Sequence, residues 1–305
     1  MFTAEQSSGE ICTNTHLARC WPEEVYVSRR IDAMLSLASQ DPQITITTDQ
    51  FDADLLLLNC PNGTLNLQSG LCKDHDRRDL ITKVTDAPYD PNAECPRFEQ
   101  LVDYLCDGDS QRIEYLQRCL GSAMTGDPDG PSIFVLYGSG AKETATLLQT
   151  IGLVLGKYAQ RLDLAPFLGS AGLRGIDLAS LQGVRFLYTG KSGDSRLDTS
   201  ALNQLIRGDG RSTLAPYEAL LGTAPCSTLF VAVEGQPRCD DWDEIIKQCV
   251  ELVPCPGSVP VRDRRRSLHL ILDDREAQGV RGWLVKGYKR WQREGLGIAP
   301  IRDAS

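Results

Sequence analysis

Apolar positions along the chain change their spacing several times, and each change predicts an element. Between Glu24 and Ser39, Val25, Ile31, Met34, Leu35 and Leu37 stand among polar residues as in an amphipathic helix, which Asp41 and Pro42 end. Ile44 and Ile46 alternate with polar neighbours, and Leu55 to Leu58 is a short apolar run. In NCPNGTLNLQSG (59–70), Asn62-Gly63 lies between apolar flanks, the strongest short-range hairpin signal. Residues 40–90 are therefore expected to be rich in strand. From Pro96 to Met124, Phe98, Leu101, Leu105, Ile113, Leu116 and Leu120 recur at helical spacing, interrupted at Asp107-Gly108-Asp109, which predicts two helices and a turn. Farther on the texture changes. SIFVLYGSG (132–140) is an apolar run closed by glycines, and TATLLQTIGLVLGKY (144–158) reads as a helix. VRFLYTG (184–190) and STLFVAVEG (227–235) are further apolar runs with helical stretches between, and a last helix covers about Gly282 to Glu294. Short buried strands alternating with helices predict a mainly parallel α/β sheet.

Composition narrows the class. The 305 residues are 41% hydrophobic and 24% charged, which fits a folded chain with room for about two domains and excludes wholesale disorder, collagen and coiled coil. No uncharged apolar run approaches the roughly 18 residues of a membrane span. The N-terminus MFTAEQSSGE lacks a basic region followed by an apolar one, so a cytoplasmic protein without membrane contact is expected. The 11 cysteines contain no C-x-x-C pair, and only His16, His75 and His269 are available to complete a tetrahedral set. Reduced thiols are therefore expected, with no metal site. Net charge is −9, yet Gly257 to Ser305 carries 11 Lys or Arg against 6 Asp or Glu, including RDRRR (262–266). Arg262, Arg264, Arg265 and Arg266 are candidate phosphate contacts, weighed against an ordinary solvated run. Asp240, Asp241, Asp243 and Glu244 are read as partners of a helix N-terminus in preference to a Mg²⁺ or Ca²⁺ site, and Trp283 and Trp291, on one helix face, as core or interface anchors in preference to a base-stacking platform.

The strand, glycine and helix passage at 132–158 calls for comparison with a phosphate-binding loop, G-x-x-x-x-G-K-[ST]. There backbone N–H groups cradle phosphate, the lysine reaches the β and γ oxygens, and the hydroxyl holds Mg²⁺. With Gly138 as the first glycine, Glu143 falls on the second, Thr144 on the lysine and Ala145 on the Ser/Thr. Gly138 and Gly140 remain, and Lys142 is the nearest cation. A carboxylate at a phosphate cradle opposes binding.

The sequence resembles the superfamily 3 helicase module of phage and plasmid primase-helicases, together with the domain that precedes it. The residues that carry the resemblance are LLNCPNGTLNLQSG (57–70), DLITKVTDAPYDPNAECPRFEQLV (79–102), EYLQRCLGSAMTGD (114–127), FVLYGSG (134–140) and RWQREGLG (290–297), spanning about residues 23–300. The resemblance implies an AAA+-like P-loop core at 127–305, a smaller α+β domain at 23–126 and an extension at 1–22. It also implies a hexameric ATPase on DNA with acidic Walker B residues, a sensor asparagine, an arginine finger and a DNA-contacting hairpin. At the matching positions stand Lys191 with Asp194 nearby, Val233 and Glu234 for the sensor, and Gln248, Cys249 and Glu251 for the finger. Leu214 replaces the hairpin arginine, with Arg211 close by.

Phosphoryl transfer is almost wholly positioning and electrostatics, so a site lacking all these groups is expected to have no catalytic residues. The resulting expectation is an α/β pseudoenzyme of a phage or mobile element. It would act by binding a host or phage replication or defence protein, or by joining a helicase assembly, with homo-oligomers and DNA as further partners and no cofactor. Two alternatives stay open. One is a replicative helicase using ATP and Mg²⁺ through Lys142 and Asp194; the other is an ATP-independent DNA-binding module built on Arg211 and the basic run.

Overall fold

The computed structural model describes residues 28–41, 45–47, 50–125, 133–162, 183–189, 227–237, 244–260, 262–263 and 274–299. The chain divides into two units, Met1–Phe51 and Asp52–Ser305. The first contains helix α1 (Ser28–Ala38); residues 24–27, where its hydrophobic pattern starts, lie outside the described residues. Ile31, Met34, Leu35 and Leu37 are between 40% and 70% exposed. Residues 45–47 form no strand, and among the described residues of 40–90 the strands lie within 57–73.

In the second unit, strands β1 (Leu57–Cys60) and β2 (Gly63–Asn66) form the expected hairpin, with Pro61 and Asn62 as its turn, and β3 (Leu71–Lys73) pairs antiparallel to β2. Helices α2 (Pro96–Leu105) and α3 (Ser110–Ser122) follow. Between them Asp107 and Gly108 take left-handed φ angles of 57° and 69°, and Asp109 then accepts from the backbone N–H groups of Gln111 and Arg112, capping α3.

Strand β4 (Ile133–Gly138) leads into α4 (Ala141–Leu155), then β5 (Ala159–Leu162), β6 (Phe186–Thr189), β7 (Thr228–Glu234), α5 (Glu244–Cys249), β8 (Val250–Pro254) and α6 (Asp274–Glu294). The five strands form a wholly parallel sheet in the order β5-β6-β7-β4-β8. Both outer strands escaped the sequence pattern. AQRL in β5 is largely polar and exposed, and β8 runs directly on from a short helix and ends in Pro254, which an edge strand tolerates.

Aromatic rings bind the middle strands together. Phe134 stacks on Phe230 at 5.0 Å and Phe230 on Phe186 at 4.7 Å, contacts worth about 0.5–1.5 kcal/mol each beyond their burial. Helix α4 packs on β4 to β7 and also meets α2 and α6, while α6 runs along α3. The α3–α6 crossing is backbone against backbone: a Cβ on Gly287 would lie 2.1 Å from Gln117 O, and one on Gly121 2.3 Å from Tyr288 N. Trp283 is a core anchor, as expected, edge-on to Phe98 at 5.2 Å, while Trp291 is partly buried against the core beside Tyr288 at 5.9 Å. One continuous core joins Leu58, Phe98 and Leu116 to Phe134, Leu148 and Leu284.

Two buried arginines stitch this core. Arg185, at the entry to β6, donates from Nη1 to Met124 O at 2.8 Å and Leu55 O at 3.1 Å and from Nη2 to Leu57 O at 2.8 Å, with its guanidinium 4.8 Å from the Tyr158 ring centre. Arg281 on α6 donates to Ala87 O and to Val154 O.

Candidate nucleotide-binding loop

In an open parallel sheet, ligands bind beyond the carboxyl ends of the strands where the winding reverses. Here the chain leaves β4 toward β5 on one side and returns through β7 to β8 on the other, so the reversal lies at β4. Its carboxyl end is the glycine passage chosen from sequence, and it is the place to look for a phosphate cradle.

The connection is short. Only Ser139 and Gly140 separate the last residue of β4 from Ala141, the first of α4. The phosphate-loop pattern needs the whole run from first to second glycine as loop, followed by the helix. The sequence pattern predicts a helix from Thr144; α4 starts three residues earlier, and the positions that would form the cradle are wound into its first turn. Ala141, Glu143 and Thr144 are buried, Ala145 is half-buried and Lys142 is exposed. The Thr144 hydroxyl, at the lysine position, donates back to Gly140 O at 3.0 Å within the helix.

Backbone fills the space in front of the loop. After β8, Cys255 to Gly257 runs between the loop and the end of α2, held by Cys255 N donating to Tyr137 O at 2.7 Å and Gly257 N to Leu105 O at 3.0 Å. Ser139 Oγ donates to Pro256 O at 2.8 Å. A Cβ on Gly138 would lie 1.7 Å from Cys255 O, so Gly138 is a glycine because a neighbouring backbone presses on it. A Cβ on Gly140 would lie 2.9 Å from Gly257 O and 3.6 Å from Glu143 Oε2. The loop therefore faces carbonyl oxygens and a carboxylate, acceptors like a phosphate's own oxygens, where an anion site needs donors.

The other sequence candidates are scattered. Glu234 ends β7 in register with Gly138 and is exposed, so sensor position and loop do meet. Gln248 is exposed on α5 ahead of β8, whose Val250 pairs with Ile133, so it lies at the amino end of the sheet, roughly 17 Å along β4 from the loop at the usual strand rise. Arg262 is exposed and 3.4 Å from Asp263, which accepts from the Tyr104 hydroxyl. Lys191, Asp194, Arg211, Arg264, Arg265 and Arg266 lie outside the described residues, as do Asp240, Asp241 and Asp243. Glu244 opens α5 and pairs with Lys247 at 3.1 Å. Sequence reading missed the strap at 255–257, although the Pro-Cys-Pro-Gly string that forms it marks a break after β8.

Among the described residues no group of three or more His, Cys, Asp or Glu could hold a metal ion. The thiols near the loop are inert by burial, which pushes Cys106 up to about 12 and Cys255 well above the ordinary range. Cys95 is likewise pushed up to about 12 by burial, reinforced by Glu99 and Glu276. Cys72 is exposed. Maleimide labelling at about pH 8, near the usual thiol range, followed by peptide mass mapping, is expected to modify Cys72 well before Cys95, Cys106 and Cys255; equal rates would show that the native core opens freely.

Residues 18–106 match the family described as D5 N terminal like, a span that includes α1, the antiparallel hairpin and α2. The chain is also 21% identical over 210 residues to a protein named "Putative helicase L207/L206" of Acanthamoeba polyphaga mimivirus, a match covering 67% of this chain and 22% of that protein. The chain thus spans about a fifth of the length of the curated relative it matches. Among the described residues no helix is long and apolar enough to cross a membrane.

Proposed function

We propose, from this kinship with phage-type primase-helicases, that the chain is a helicase-like protein of a phage or mobile element that does not turn over ATP and acts through binding. In this reading 23–126 is the domain that precedes the helicase module and 127–305 is an AAA+-like P-loop core without its chemistry. It either engages a replication or defence protein or joins a helicase assembly as a silent subunit. The observation that carries the reading is the start of α4 at Ala141, after a connection of only two residues from β4, where a phosphate cradle requires an open loop. Glu143 buried in that turn and the carbonyls of Pro256 and Gly257 support it from the electrostatic side. Exposure of Ile31, Met34, Leu35 and Leu37 on α1 supports a role in protein contact, since apolar residues at helical spacing are a usual docking face.

Light scattering on the purified protein, alone and mixed with an intact primase-helicase from the same phage or plasmid, tests the reading. A discrete mixed complex of fixed stoichiometry is the expected result. A homohexamer that retains nucleotide and turns it over would contradict it.

A further inference from the structure

The parallel sheet ends at β5 in an open edge. Arg185 N donates to Tyr158 O at 2.8 Å, so the backbone of Tyr158, Gln160 and Leu162 faces β6, and that of Ala159 and Arg161 faces outward. Ala159 N is satisfied by Gly156 O. Ala159 O, Arg161 N and Arg161 O remain along the edge. Among the described residues only the exposed Gln160 side chain bonds to any of them, reaching Arg161 O at 3.5 Å.

A groove of about 440 Å³ lies beside this edge, between β5 and the last turn of α4. Its apolar wall is Leu153, Ala159, Val184 and Tyr188, and Lys83 and Lys157 line it as well. Leu153 is 56% exposed, whereas Leu147, Leu148, Ile151 and Leu155 of the same helix are buried. The Tyr188 ring reaches the groove because residue 152 is glycine: a Cβ there would lie 2.5 Å from it. Arg161 stands beside Tyr188 in register. The acid in the lining is Asp86, which lies against Gly156, where a Cβ would be 2.6 Å from its Oδ1. Lys83, Lys157 and Arg161 therefore outweigh one carboxylate.

We infer that β5 takes up an extended acidic peptide of a partner protein as an added strand, with an apolar side chain seated on Leu153 and Tyr188. In this mode the edge backbone supplies affinity and the groove selects the side chain. An acidic strand complements the cations around the groove. A second copy of this chain does not, since edge-to-edge pairing would bring Arg161 toward its own counterpart, and like charges across paired strands repel. The inference rests on the reading that this chain acts by binding, and it gives that binding a place other than α1.

The test is fluorescence anisotropy of the labelled peptide Glu-Val-Glu-Leu-Glu-Val-Glu with the full chain at about 100 mM salt, where exposed charges still act over about 10 Å. Wild type is expected to bind it and to ignore the same peptide N-methylated along its backbone, which cannot donate to the edge. Arg161→Pro removes the outward N–H, a change that an edge strand tolerates, and Leu153→Asp puts a charge on the apolar wall. Each is expected to weaken binding at least about fivefold at an unchanged melting temperature. Arg161→Gln, which keeps the N–H, is expected to fall between wild type and Arg161→Pro, and Lys286→Gln on α6 to bind as wild type. No binding by wild type, equal binding of the N-methylated peptide, or wild-type affinity in either Arg161→Pro or Leu153→Asp would overturn the inference. Equally tight binding of polyglutamate of the same length would reduce the site to charge alone and overturn it as well. If the peptide fails while the mixed complex with an intact primase-helicase still forms, this site is refuted and the binding role stands.

Discussion

Steady-state ATP hydrolysis by this chain, with or without DNA, is expected to lie at least about 10³-fold below that of an intact phosphoryl-transfer site, the amount that loss of an arginine finger alone can remove. The sequence puts Thr144 at the lysine position and Gln248 at the finger position, and the fold adds a reason that composition does not. Catalysis of phosphoryl transfer rests on donors placed around the phosphates before reaction. Here those places hold the first turn of α4 and the carbonyls of Pro256 and Gly257. It follows that restoring the pattern letters is not sufficient. The variant Glu143→Gly/Thr144→Lys/Ala145→Ser is expected to release phosphate at the wild-type rate, because the connection from Gly138 to Ala141 stays two residues long. A triple variant that gains turnover would show that the short connection reopens on its own and that the residues alone had been limiting.

The second large effect belongs to Arg185→Ala. That guanidinium is 3% exposed and is the shared donor for Leu55 O, Leu57 O and Met124 O, joining the entry of β6 to the antiparallel hairpin and the end of α3. Removing it strands buried carbonyls whose desolvation costs about 1–3 kcal/mol apiece, offset in part by relaxation and by water entering the gap. A net loss of about 3–5 kcal/mol is expected, read as a lower urea midpoint with an unchanged denaturant slope. Arg185→Lys should recover only part, since one ammonium cannot fork to carbonyls on both sides. A loss under about 1 kcal/mol would mean that these carbonyls are hydrated in the native state.

How far the sequence could be read depended on how one-sided each element's environment is. β4, β6 and β7 are central and buried on both faces, so they appear as continuous apolar runs, and the two helices around Asp107-Gly108 appear through their stripe. β5 is an edge strand with exposed polar residues and β8 an edge strand of mixed, partly buried residues running straight on from a helix, so neither carries such a signal. α6 reaches back to Asp274, eight residues before its apolar pattern becomes obvious, because Arg281 and Glu276 are buried by bonding to backbone and to Arg97 where a pattern expects apolar residues. The candidate site was legible as a place, at the glycines after the first apolar strand. Its shape was not: Ala141, Lys142 and Glu143 are acceptable both in a loop and in a helix, and the choice was made by Cys255–Gly257, far off in sequence, pressing on Gly138.

The most direct test of the central claim, that this strand-to-helix connection is not a phosphate cradle, is thermal unfolding with and without Mg·ATP. A ligand at about 100 times its Kd stabilises the folded state by about 2.7 kcal/mol, several degrees for a domain of this size. The account predicts that millimolar Mg·ATP leaves the melting temperature where it was. A saturable upward shift that inorganic phosphate does not reproduce would contradict it.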